Sequence, residues 1–192
     1  MVHIAGSGMA DKPLTIWTIG HSTLSVEDFI ALLKSHKIGA LADVRRFPGS
    51  RRHPQFGQQQ LSESLAGEGI DYCHFPELGG RRLVRPDSPN TAWRNEAFRG
   101  YADYMMTDGF RAGIDRLLAM AQMKRTAIMC AEALWWRCHR ALIADQLKAT
   151  GKTVMHIIGP GKSQEHPFTT AARIAEGKLS YRAPEAELEF IL

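Results

Sequence analysis

Residues 126–151 read TAIMCAEALWWRCHRALIADQLKATG, and their reading decides the fold. Thr126 to Cys130 is a short apolar run that reads as a buried strand, and Leu134 to Thr150 reads as a helix ended by Gly151. Between them lies a tight cluster of Cys130, Glu132, Cys138, His139 and Arg140. The question is whether that cluster is a reactive site or a core strand passing into a helix with polar residues nearby.

Working outward, the same alternation recurs. LTIWTI at 14–19 is an apolar, β-branched strand ending at Gly20, and SVEDFIALLKSHKIG is a helix with Ser25 as N-cap and Gly39 as terminator. IGALADV at 38–44 is a second strand, 57–69 a helix, IDYCHF at 70–75 a third strand, and Thr153 to Ile158 the last one. Residues 96–106 and 109–123 read as two helices, or one broken near Asp108-Gly109, and a short helix is expected at 168–176. Pro76 to Asn95 reads as one long loop, of a length that in compact domains is functional or mobile.

Strands alternating with helices imply right-handed crossovers. The expected fold is a single α/β domain with a mostly parallel sheet of about five strands and helices on both faces, three-layered and Rossmann-like or flavodoxin-like. The expected organisation is a flexible lead-in at 1–13, the α/β domain at 14–158, and a C-terminal extension at 159–192 packed on the same domain. The extension ends in LEFIL, which would dock on its own core or on a second subunit. A chain of 192 residues, 44% hydrophobic and 23% charged, has room for one core. No apolar run approaches the roughly 20 residues that a membrane-spanning helix needs, and residues 1–13 lack the apolar stretch of a secretory leader. Three cysteines without repeated spacing suggest no disulfide framework, so a cytoplasmic location is expected.

In a parallel sheet the loops leaving the carboxyl ends of the strands share one edge, where ligands bind. Here they carry Gly20-His21-Ser22, then Asp43 with Arg45 and Arg46, then Glu77 with Gly79, Gly80 and Arg81, then Cys130 with Glu132, then His156. Residues scattered along the chain are therefore expected to converge.

The stretches TIGHSTLSVEDFIALL, LADVRRFPGSRRHPQFGQQQL, IDYCHFPELGGRR and CAEALWWRCHRALIADQL, in this order, resemble the family of domain of unknown function 488 from about Leu14 to about His156. The resemblance implies an α/β cytoplasmic domain sharing the GHS, DVR-x-x-P-x-S and C-x-E with CHR segments, and it implies a candidate site without a reaction. The chain departs from the pattern at Leu134-Trp135-Trp136, where the family has a smaller, often proline-containing turn.

The charge of +4 is bunched in RRFPGSRRH at 45–53, GGRRLVR at 79–85 and WWRCHR at 135–140, a positive field suited to phosphates. Candidate catalytic residues are Glu132, Asp43, Cys130 and His139; candidate substrate-binding residues are His21, Ser22, Arg45, Arg46, Ser50, Arg81 and Arg140. Asp43 suits a general base or the ion-pair partner of Arg45 or Arg140. His21 and Ser22 suit an anion near a helix start or simple capping. Cys130, at a strand end before a helix, suits a thiolate nucleophile with Glu132 as general base. Within a continuous helix Cys138 and His139 would lie about 100° apart, which makes Cys138 the structural one of the two. A tyrosine-phosphatase loop is excluded, because six residues separate Cys130 from Arg137 where five are needed. No C-x-x-C or H-x-x-x-H pair is present, so no metal is expected, and the cofactor is left open.

Three functions follow. The first is an enzyme acting on a phosphate-bearing substrate, a nucleotide or nucleic acid. The second is a non-catalytic module binding an anion or nucleic acid. The third is a thiol-dependent activity at Cys130. No membrane partner is expected, and the oligomeric state is open.

Overall fold

The structure is a computed structural model that describes residues 13–49 and 52–184. The expectations for residues 1–12, for Ser50 and for the terminal LEFIL lie outside the described residues. Among the described residues, eight strands and five α-helices follow one another as β1 (Thr15–Gly20), α1 (Val26–Ser35), β2 (Ala40–Asp43), α2 (Gln58–Ala66), β3 (Asp71–His74), α3 (Glu96–Met105), α4 (Asp108–Met123), β4 (Thr126–Cys130), α5 (Arg140–Ala149), β5 (Thr153–Gly159), β6 (Lys162–Glu165), β7 (Arg173–Ala175) and β8 (Lys178–Ser180).

Six strands form one sheet in the order β3-β2-β4-β1-β5-β6, parallel except for β6. Alternating side chains make its two faces. Trp17, Ile19, Leu41, Ala127, Met129 and Ile157 pack with Phe29 and Leu33 of α1 and with Leu61 and Leu65 of α2. Ile16, Ala42, Val44, Ile128 and Val154 pack with α3, α4 and α5 on the other face. The result is the expected three-layer α/β domain. No helix among the described residues is long and apolar enough to cross a membrane.

The order locates the site. The β1-α1-β2 crossover passes over β4 on one face, and β4-α5-β5 passes over β1 on the other. Adjacent β1 and β4 therefore feed connections in opposite directions, and a crevice opens beyond their carboxyl ends. Gly20 pairs with Cys130 there. A Cβ on Gly20 would stand 2.0 Å from the Glu132 carbonyl oxygen, so only glycine lets the two strand ends come this close.

Two local expectations are corrected, and one strand is added to those expected. The span 134–150 is not one helix: a 3-10 turn at Trp135–Arg137 and extended Cys138 (φ −129, ψ 148) precede α5. Residues 168–176 are not helical; Arg173–Ala175 pairs with Lys178–Ser180 across Glu176 and Gly177, both in left-handed conformation. That pair of positive φ angles builds a tight hairpin turn whatever the helix propensity of AARIA. Finally, β6 adds an antiparallel edge strand whose polar sequence, KSQE, shields the sheet from further pairing.

The loop 76–95 is pinned. Asp103 of α3 accepts hydrogen bonds from the Arg85 amide (2.9 Å), the Ser88 hydroxyl (2.5 Å) and the Asn90 side-chain amide (2.8 Å). Tyr101 and Tyr104 donate to the Leu78 and Glu77 carbonyls at 2.7 Å each. A side chain at Gly100 would meet the Arg82 carbonyl oxygen at 2.4 Å, which is how the loop crosses α3 so closely.

Candidate active site

A cleft of about 700 Å³ opens over the carboxyl ends of β1, β2 and β4, and it is lined by His21, Ser22, Arg45, Arg46, Arg81, Cys130, Glu132 and His139 among others. These come from four separate loops, so the convergence expected from parallel strands occurs. Asp43 and Arg140 lie beneath the cleft, buried at 0% and 1% exposure. His156 is elsewhere: its Nδ1 accepts from Thr18 Oγ1 (2.7 Å), and its Nε2 lies 2.9 Å from His166, which is itself held by Asp145.

The Asp43 carboxylate is saturated. It accepts from the Arg45 amide (3.0 Å), Nε (2.9 Å) and Nη2 (2.6 Å), and from the Tyr72 hydroxyl (2.7 Å). Burial pushes the Arg45 guanidinium down, but its hydrogen bonds and charge pairing with Asp43 more than offset this, leaving it raised. Burial and the neighbouring Asp43 carboxylate push the Tyr72 phenol far up, so it donates and does not ionise. Arg45 Nη2 also reaches the Phe56 carbonyl at 2.8 Å. This buried ion pair fixes the wall of the cleft.

His21 Nδ1 donates to the Ser22 carbonyl (3.0 Å), leaving Nε2 to accept from Arg45 Nη1 (3.4 Å). The ring stacks on Phe56 at 4.1 Å. Burial and the Arg45 charge lower His21 to about 4, so it is neutral near pH 7. The His21 and Ser22 amides donate to the carbonyls of Cys130 (3.0 Å) and Ala131 (2.9 Å). The turn after β1 thus grips the loop after β4, and the His21 and Ser22 amides are engaged there and not offered to an anion.

The chemistry concentrates at Cys138. Its Sγ accepts from Arg140 Nε at 3.4 Å and lies 3.6 Å from His139 Nδ1. His139 Nε2 donates to the Val44 carbonyl at 3.0 Å, which leaves the Nδ1 lone pair aimed at the sulfur. A hydrogen bond from the Cys130 thiol pulls the Cys138 thiol well below its ordinary value; burial opposes, and His139 and Arg140 assist. Cys138 also stands next to His139, the N-cap of α5, whose positive end favours a thiolate. Cys130 moves the opposite way: donating to Cys138, together with burial, holds it well above the thiol range. Arg140 Nη2 anchors the loop through the Glu132 and Ala133 carbonyls.

The sulfurs of Cys130 and Cys138 and a ring nitrogen of His139 lie within 4.8 Å of one another, near enough to share a metal ion. The guanidinium of Arg140 against Cys138 opposes a dication there and favours the bare thiolate. Around the mouth stand the exposed side chains of Arg46, Arg81 and Arg137, with Phe47, 66% exposed, beside Arg46. Glu132 is half-buried at the rim, its Oε1 accepting from the Leu134 amide at 3.3 Å.

The structure brings three cleft residues into the site that sequence reasoning passed over as lining: Cys138, Arg137 and Tyr101. The signal for Cys138 was its place before a helix, obscured by running that helix back to Leu134.

The model of the family described as domain of unknown function DUF488 matches residues 25–147. That span contains Asp43, Arg45 and the whole stretch from Cys130 to Arg140, and it leaves out His21. No curated protein and no solved structure matches the chain.

Proposed function

The chain belongs to the DUF488 family, and we propose that its cleft is the active site of a thiol-dependent enzyme acting on an anionic, phosphate-bearing substrate. One observation carries the reading: the Cys138 sulfur is bracketed by Arg140 Nε at 3.4 Å and His139 Nδ1 at 3.6 Å in a cleft that a substrate can enter. A nucleophile, a base within reach and a third group orienting the base form the arrangement needed for covalent catalysis. Cys138 is the nucleophile, His139 takes its proton, and the Val44 carbonyl sets the tautomer. Arg140 stabilises the thiolate. Asp43, with both oxygens engaged, acts as a positioning residue through Arg45, and Glu132 at the rim remains as an acid or base for the leaving group. Arg46, Arg81 and Arg137 hold the anion.

Two alkylating probes of different charge test this. Iodoacetate and iodoacetamide react with thiolates, and peptide mapping reports where. Cys138 is expected to alkylate first, with a higher iodoacetate-to-iodoacetamide rate ratio than free cysteine, and Arg137→Ala with Arg46→Ala is expected to reduce that ratio. A Cys138 that is slower than Cys73, or indifferent to the probe's charge, refutes the reading.

A second reading, non-catalytic recognition of nucleic acid, is favoured by Phe47, exposed at the rim with Arg46 Cζ 5.6 Å from its ring centroid. Bases stack on such rings while arginines meet phosphates. It requires Cys138→Ser to bind a single-stranded oligonucleotide as tightly as the wild type does, with affinity falling steeply as salt rises.

A further inference from the structure

We infer that Cys130 and Cys138 are a redox pair that reduces hydroperoxides, with Cys138 taking the oxygen and Cys130 resolving it as an internal disulfide. This deepens the reading of Cys138 as the nucleophile and rests on it.

The geometry selects these two thiols. Their sulfurs lie within 4.8 Å of one another, and both line the cleft. Cys130 is half-buried at the end of β4, and Cys138 is extended and lies before the first turn of α5, so closing the gap between the sulfurs does not require α5 to unwind. The third cysteine cannot serve. Cys73 lies on β3, the sheet's edge, with β2 between it and β4; at about 4.8 Å per strand it stands about 10 Å away. Its sulfur also accepts from Arg116 Nη2 at 3.3 Å, outside the cleft.

The steps balance. The Cys138 thiolate attacks one peroxide oxygen; an S–O bond forms as the O–O bond breaks, and the departing hydroxide takes the proton held by His139 and leaves as water. Cys138 is now a sulfenic acid. Cys130 gives up its proton and attacks that sulfur; the S–S bond forms, the S–O bond breaks, and the hydroxide leaves as a second water. Two thiols are oxidised to a disulfide and hydrogen peroxide is reduced to two waters. An external dithiol restores the pair by exchange.

The full chain, reduced, desalted and given one equivalent of hydrogen peroxide, tests this by intact mass and peptide mapping. The expected result is a loss of two hydrogens, a Cys130–Cys138 linked peptide, Cys73 still alkylatable, and reversal by dithiothreitol. Oxidation at Cys138 should exceed that at Cys73 by at least about tenfold, since an ordinary thiol is only a few per cent thiolate near pH 7. Cys130→Ser should instead accumulate a Cys138 sulfenic acid that dimedone traps. If Cys138 alkylates rapidly with iodoacetamide but peroxide gives sulfinic acid or a Cys73-linked dimer, the redox pair is refuted and the nucleophile stands. If both thiols are inert, or react only after a chelator strips a bound metal, both readings fall.

Discussion

Replacing Cys130 by alanine removes one proton donor from the Cys138 sulfur and leaves the rest of its surroundings in place: Arg140 Nε at 3.4 Å, His139 Nδ1 at 3.6 Å and the start of α5. A hydrogen bond to a charged acceptor contributes about 1.5–3 kcal/mol, and a thiol, as a weak donor, belongs at the low end. About 1.4 kcal/mol lowers the ratio of thiolate to thiol roughly tenfold. A more basic thiolate is also a better nucleophile, with a sensitivity of about 0.4–0.5, which restores roughly threefold. The net expectation is an alkylation rate at Cys138 about threefold slower on the acid side of the pH profile, and equal or faster once the thiolate is fully formed. The assay is iodoacetamide labelling from pH 5 to 9 in a Cys73→Ser background, with Cys138 quantified by mass spectrometry. Cys130 is half-buried and the change deletes one atom, so folding should survive, and thermal unfolding checks this. A Cys138 rate that rises on the acid side would show that the low-pKa thiol is Cys130 and that the assignment is reversed.

Asp43→Ala leaves the Arg45 guanidinium buried without its carboxylate, and unfolding free energy should fall by about 3–5 kcal/mol, read from urea denaturation; a loss under about 1 kcal/mol would contradict the buried pair. Gly80→Ala places a methyl group 2.9 Å from His139 Nδ1, so the imidazole must move; slower alkylation of Cys138 is expected, with a stability cost of about 1–3 kcal/mol. Gly20→Ala has no such escape, because its new carbon meets the Glu132 main chain at 2.0 Å, and the amides of His21 and Ser22 should lose protection in hydrogen exchange. Burial, chiefly, lowers His156 to about 3 and His21 to about 4 from an ordinary 6.5. The unfolded chain therefore binds the extra protons first, and stability is full above about pH 6.5 and falls as pH drops toward 4 and 3. Each histidine contributes at most about 1.4 kcal/mol per pH unit in that window. Urea midpoints at pH 7.5, 6 and 5 measure this, and a midpoint that does not fall would refute it.

The strands of the main sheet were legible where short apolar runs stood out, as at LTIWTI and TAIMC, because a strand buried on both faces needs continuous apolar sequence. β6 was not, since an edge strand exposed to solvent carries no apolar signal and is placed in the sheet by its pairing with β5. Glu176-Gly177 did carry a hairpin signal in its glycine, but the alanines before it pointed to a helix and the turn geometry prevailed.

At the site, the sequence by itself determined which chemistry was available and that parallel strands would carry it to one edge; His21, Arg45, Cys130 and His139 arrive there for that reason. Only the tertiary structure decided the division of labour. Asp43 and Arg45 are 2 residues apart in sequence and neutralise each other in the interior, because a buried charge must be paired. Cys138 and His139 are adjacent, but the break before α5 lets both face the cleft, which a continuous helix would have forbidden. Whether a thiol is a thiolate depends on charges and donors within a few ångströms, and those distances are set by packing among β1, β4 and α5, not by spacing along the chain.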